Sequence, residues 1–215
     1  MRCIISNAKQ QFIFPMEETM LKVHTLTLGL YQTNTYLVHK DGCRDCVVID
    51  PGYEAATILN RAALLGLDVK AILLTHGHFD HVGAVRDIAA DTDCQVFVCE
   101  QELALPEIMT GGPLYYTDLY PAEGKLTIGN MEFTVLPTPG HTPGSVCLLS
   151  GDVIFSGDTL FAGSMGRCDF PGSSIFDMRK SMKKLYHLAG DFRVFPGHAE
   201  ATTLEYERKT NPYLR

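Results

Sequence analysis

The run Thr75-His76-Gly77-His78-Phe79-Asp80-His81 places three imidazoles and one carboxylate within six residues. Such groups are costly to bury unpaired and repel one another when charged, so core packing does not call for them. Imidazole nitrogen and carboxylate oxygen are the donors that zinc, iron and manganese accept, and a divalent cation removes the repulsion. Gly77 keeps side-chain bulk out from between two of the donors. Three more candidates follow: His141 in Pro139-Gly140-His141-Thr142-Pro143-Gly144, Asp158 in Ser156-Gly157-Asp158-Thr159, and His198 in Phe195-Pro196-Gly197-His198. Taken singly, each reads as a turn residue. Together they bring the inventory to five of the eight histidines and two aspartates. Seven donors exceed one tetrahedral ion and suit two ions sharing a carboxylate. His24, His39 and His187 have no such context and read as ordinary.

The elements that must position these groups follow from periodicity and turn chemistry. Strands are expected at Lys22 to Gly29, Thr33 to Lys40, Cys46 to Asp50, Ala71 to Thr75 and Gln95 to Cys99, with helices at Glu54 to Leu67 and Val82 to Ala90. The first metal-type motif thus lies where a buried strand ends and a helix begins. Leu103 to Glu123 interrupts the rhythm with Pro106, Gly111-Gly112-Pro113 and Pro121, and reads as a lid or binding loop. Its Tyr115, Tyr116 and Tyr120 either roof a pocket or pin the loop. Strands resume at Lys125 to Ile128, Met131 to Leu136, Ser145 to Leu149, Val153 to Ser156 and Arg193 to Phe195. Helices close the pattern at Ile175 to Ala189 and Thr202 to Thr210. Arg179, Lys180, Lys183 and Lys184 form the solvated face of the first of these. Each half brings strands and then helices, as two back-to-back sheets with helices outside would require.

The motif set THGHFDH, TPGHTPGS, FSGDTLF and PGH, in this order and spacing, resembles the metallo-β-lactamase superfamily over roughly residues 21 to 215. The resemblance implies an α+β fold, a four-layer αββα sandwich with a metal pair at one edge. Carried over position by position, it implies that His76, His78 and His141 hold one metal. Asp80, His81 and His198 would hold the other, and Asp158 would bridge both. Within the superfamily the sequence is most similar to glyoxalase II, the hydroxyacylglutathione hydrolases, in their short single-domain branch. The segments GDTLFAGSMGRCDFPGSS from Gly157 and GHAEATTLEYERKTNPYLR from Gly197 carry that likeness. Full-length members continue into a C-terminal helical domain that grips glutathione. They also place an aromatic residue directly after a basic one in this region. Here Arg167 fits, whereas Cys168 and Asp169 stand where the aromatic is expected. Arg167 either binds a substrate carboxylate through its forked donors or pairs with Asp169.

The resemblance further implies two divalent ions, zinc first with iron or manganese acceptable, and a metal-bridging hydroxide that attacks a small-molecule thioester. Asp80 would orient that nucleophile or move its proton. A thiolate leaves without a separate general acid, because thiol pKa values lie near 8.5. Within the same superfamily, a persulfide dioxygenase would use one iron held by His76, His141 and Asp158, and the run from Gly166 to Phe170 resembles that branch. A lactonase or β-lactamase would turn the metal pair on another acyl group. A non-enzymatic scaffold would be expected to lose ligands, and all seven positions are filled.

Composition narrows the classes. The 215 residues are 46% hydrophobic and 20% charged, with Lys+Arg 18 against Asp+Glu 25 for a net charge of −7. That balance disfavours phosphate backbones, so nucleic acid is not an expected partner. No apolar run approaches the roughly 18 residues of a membrane span. The seven cysteines lack scaffold spacing and read as reduced thiols of a cytoplasmic protein. Cys43-Arg44-Asp45-Cys46 has no second pair and reads as incidental. Residues 1–19 read as an extension outside the fold, upstream of a start at Met20, with one hydrolase domain over residues 20–215.

Overall fold

The computed structural model describes residues 20–121 and 124–214. The expected N-terminal extension, and the last two residues of the long irregular segment, lie outside the described residues.

The first sheet has the order β1 (Leu21–Leu28), β2 (Thr33–Lys40), β3 (Asp45–Ile49), β4 (Asp68–Leu73), β5 (Gln95–Val98) and β6 (Asp118–Leu119). Its first three strands are antiparallel, and β3 through β6 run parallel. Parallel neighbours need crossovers. These are supplied by α1 (Ala55–Leu64), by α2 (Phe79–Val82) with α3 (Val85–Thr92), and by α4 (Glu107–Thr110) in the loop before β6.

The second sheet comprises β7 (Gly124–Ile128), β8 (Met131–Pro137), β9 (Val146–Ser150), β10 (Val153–Gly157), β13 (Arg193–Pro196) and β14 (Thr202–Thr203), in the order β14-β13-β10-β9-β8-β7. A two-stranded hairpin, β11 (Leu160–Phe161) and β12 (Ser164–Met165), follows β10. It was not evident from the sequence pattern. The helices α5 (Ile175–Tyr186) and α6 (Leu204–Thr210) complete the chain.

Side chains alternate across each strand, so short apolar runs serve two cores at once. Val47, Ile49, Leu73 and Phe97 meet Phe133, Val135, Leu148 and Phe155 between the sheets. Cys46, Val48, Ile72 and Val96 face outward and are covered by Ile58 and Ala62 of α1 and by Val85 and Ile88 of α3. On the far side, Ile154 and Val194 meet Met178, Met182 and Leu185 of α5. The result is helix, sheet, sheet, helix, the expected αββα sandwich. Each Val, Leu, Ile, Phe or Met side chain among these contributes about 1.5–3 kcal/mol when fully buried.

Two expected helices start differently. The single helix expected from Val82 is two, α2 and α3. Ala84 N–H donates to Pro51 O at 2.9 Å, tying the break to the turn after β3. At the C-terminal end, Thr202 and Thr203 first pair with β13, and the helix begins only at Leu204. Thr203 Oγ1 caps it by accepting from Tyr206 N–H at 3.2 Å.

Candidate metal centre

Five strands release their chain at one edge of the sandwich. Asp50 follows β3, the His76–His81 run follows β4, His141 lies between β8 and β9, Asp158 follows β10 and His198 follows β13. The sheets are joined there by Val146 N–H donating to Thr75 O at 2.9 Å. The His198 turn is held by Asn34 of β2, whose side-chain amide donates to Pro196 O and Ala199 O at 3.1 and 2.8 Å. Gly197 is required by close approach: a Cβ there would fall 2.2 Å from Asp158 Oδ1.

The seven sequence-predicted donors converge on two adjoining clusters. Ligand-capable atoms of His76, His78 and His141 lie within 4.8 Å of one another, as do those of Asp80, His81 and His198. Asp158 stands between them. Its Oδ2 is 3.4 Å from His141 Nε2 and 3.5 Å from His198 Nε2, and its Oδ1 is 3.5 Å from His81 Nε2.

Four of the rings are oriented from behind. His81 Nδ1 donates to Asp50 Oδ2 at 3.0 Å, His141 Nδ1 to Arg167 O at 2.8 Å, and His198 Nδ1 to Tyr31 O at 3.2 Å. Thr75 Oγ1 donates to Asp50 Oδ2 at 2.5 Å and so accepts from His76 Nδ1 at 3.0 Å. With Nδ1 protonated, each of these rings offers its Nε2 lone pair, as metal-ligating histidines do. His76 Nε2 and Asp158 Oδ1 are buried without a hydrogen-bond partner. His78 Nδ1 and His141 Nε2 approach to 2.9 Å. Orphaned lone pairs and crowded nitrogens of this kind fit a pair of divalent cations.

The electrostatics agree. Burial, with His81 and His78 adding to it, holds His76 well below its ordinary pKa, and burial lowers His78 to about 4. Burial also lowers His141. Neutral imidazole is the ligand form. Burial opposes charge on His81 as well, but Asp158 and Asp50 outweigh it and raise that group to about 9. Carboxylates that draw a proton onto a ring draw a cation to the same place. Burial likewise raises Asp80, yet the His198 imidazole and His81 outweigh it and keep the carboxyl well below its usual range.

Other candidates lie elsewhere. Arg167 is exposed and forms a two-pronged pair with Asp169 at 2.9 and 2.7 Å. Its guanidinium also sits 4.3 Å from the centre of the Phe170 ring. Phe170 lies perpendicular to the rings of His78 and His141, at 5.6 and 5.8 Å between ring centres. The aromatic residue expected directly after Arg167 therefore arrives three positions later. Tyr115 packs on the outer helical cluster beneath Arg86, Tyr116 is exposed, and Tyr120 is buried between the sheets against Phe97. None of the three has a hydrogen bond or ring contact to the seven donors among the described residues. Asp50 was missed as a functional residue. Its one signal was shared placement, at a strand end ahead of Pro51-Gly52.

Two layered sheets carrying seven convergent imidazole and carboxylate groups at one edge define a metal-dependent enzyme of the hydrolase type. The chain belongs to the metallo-β-lactamase superfamily, whose profile matches residues 28–198. It is 32% identical over 212 residues to hydroxyacylglutathione hydrolase GloC of Haemophilus influenzae, covering 90% of this chain and 98% of that one. Among solved structures, the B3 metallo-β-lactamase BLEG-1 superposes with a TM-score of 0.81 at 36% identity, covering 91% and 99% of the two chains. TTHA1623 in a di-iron-bound form superposes with a TM-score of 0.78 at 40% identity, covering 89% and 100%.

Proposed function

We propose that this protein hydrolyses a small-molecule thioester of the hydroxyacylglutathione type with two divalent ions. The placement of Asp158 within 3.4–3.5 Å of ring nitrogens from both clusters carries this reading, because only a shared carboxylate needs to face both. Similarity to GloC supports the substrate class. Zinc is the proposed metal, with iron the alternative that likeness to a di-iron-bound protein supports and manganese a third. When bound, such a pair lowers the pKa of a shared water towards about 7 and polarises a carbonyl oxygen.

The chain's own residues do the rest. Asp80 Oδ2 accepts from Thr33 Oγ1 at 3.2 Å and faces His198 Nε2 at 3.4 Å. Held ionised there, it would accept a hydrogen bond from the attacking water and orient it. The Phe170 ring walls the first cluster and excludes water from the acyl group. Arg167 stacks on that wall and presents donors to a substrate carboxylate, exchanging with Asp169 as it does so. No separate general acid is required, since a thiolate departs unaided.

Thiol-release and oxygen-electrode assays on one metal-loaded preparation test the proposal. Thiol release from lactoylglutathione without oxygen uptake is expected. Rapid oxygen uptake with glutathione persulfide and no thioester cleavage would replace it with the dioxygenase reading, and hydrolysis confined to lactones or β-lactams with the other acyl class.

A further inference from the structure

Glu102 is fully buried, and no cationic side chain accompanies it among the described residues. It lies in the 3-10 turn Glu100–Ala104 that follows β5. Both carboxylate oxygens are engaged by backbone. Oε2 accepts from Gly77 N–H at 2.5 Å, and Oε1 accepts from Gly144 N–H at 2.6 Å. Gly77 separates His76 from His78, and Gly144 closes the loop that carries His141. These two loops hang from different sheets. One side chain therefore stitches together the backbones that present all three histidines of the first cluster. The two glycines admit it: a Cβ at Gly144 would lie 2.7 Å from Oε1, and one at Gly77 3.1 Å from Oε2. Only a carboxylate offers two acceptors in this geometry. Glutamine of the same shape would aim an amide N–H at one of the two donors.

We infer that Glu102 is a positioning residue for the His76, His78 and His141 half of the metal centre, setting the spacing of those three donors and hence the affinity of that half for its ion. It acts through backbone and touches neither ion nor substrate. The inference rests on the two-ion reading of the site, not on the choice of substrate. Partners one step behind the ligands typically change metal affinity by about 10–100-fold when removed.

The test uses Co²⁺ alone on metal-stripped full-length protein, read by visible absorption and chelator competition. His198→Ala leaves the first half as the competent one, and His141→Ala leaves the second. Glu102→Gln is expected to weaken Co²⁺ binding about 10–100-fold in the His198→Ala background and less than about twofold in the His141→Ala background. Leu105→Ala, a packing change beside Gly77, is expected to lower the metal-free melting temperature without this asymmetry. Equal losses in both backgrounds, or none in the first, overturn the inference. Should Glu102→Gln not fold, Glu102→Asp keeps the charge, retracts it by one methylene and must show the same asymmetry. A wild-type protein that takes up no second ion overturns the two-ion reading itself, whereas a missing thioesterase activity leaves this result untouched.

Discussion

Asp50 Oδ2 accepts a hydrogen bond from His81 Nδ1 at 3.0 Å, across 31 residues of chain. The same carboxylate accepts from Thr75 N–H at 2.7 Å and Thr75 Oγ1 at 2.5 Å. Three of its roughly four acceptor sites are thus taken by His81 and by Thr75, which follows the strand that delivers the first motif. Asp50 thus belongs behind the metal centre, although its oxygen also falls within reach of His76 and His81. It orients two rings at once, His81 directly and His76 through Thr75. Asp50→Asn replaces one acceptor by a donor facing another donor. Metal affinity is expected to fall about 10–100-fold, measured by chelator competition. Unchanged affinity would contradict the orienting role.

Asp158 faces both clusters, so its loss is felt by both. Asp158→Ala is expected to retain at most one ion per chain by elemental analysis and to reduce thioester turnover at least about a thousandfold, a barrier increase of roughly 4 kcal/mol. Two retained ions with normal turnover would show that the carboxylate bridges nothing.

The Arg167–Asp169 pair is exposed and screened by solvent, so it adds little to stability. Asp169→Asn should leave the melting curve nearly unmoved. Phe170→Ala, by contrast, removes a ring set against two candidate ligand histidines. If the ring also packs on bound substrate, as its proposed place beside the acyl group requires, a contact worth about 1.4 kcal/mol corresponds to a tenfold rise in KM with kcat little changed. A fall in kcat at constant KM would place Phe170 in the chemical step instead.

Away from the metal centre, His24 Nε2 and His39 Nε2 meet at 3.1 Å on neighbouring strands. Burial first, then His39, Arg61 and Lys22, lower the His24 pKa from 6.5. On acidification the unfolded chain takes up its proton first, while the folded site resists. Stability tied to His24 is therefore fully present above about pH 6.5 and is lost as pH falls through the lower folded value. His24→Gln should flatten that part of the acid-side decline in melting temperature. Because both proteins share the same metal centre, the difference between their curves isolates the pair. Parallel curves would rule the contribution out.

Residue type, read together with repeated placement after strands, marked the seven candidate donors in the sequence. Imidazoles and carboxylates packed beside glycine at strand ends have no packing use, so their chemistry shows in the local string. The αββα layering was legible for a related reason. Runs such as CVVID and AILLT are too short for helices and apolar on both faces, which only a doubly covered sheet satisfies. Distance in sequence hid the rest. Glu102 reads locally as one acidic residue in a polar turn, and its meaning lies in Gly77 and Gly144, 25 and 42 positions away. Phe170 acquires a role only where its loop returns to His78 and His141. Tyr120 could have faced a pocket until the second sheet closed over it. His81 and His198 come to 3.3 Å across 117 residues because β2 holds the His198 turn against the edge where β4 ends. A residue's type sets which bonds it is able to make; the packing of the two sheets set which partner stood there to receive them.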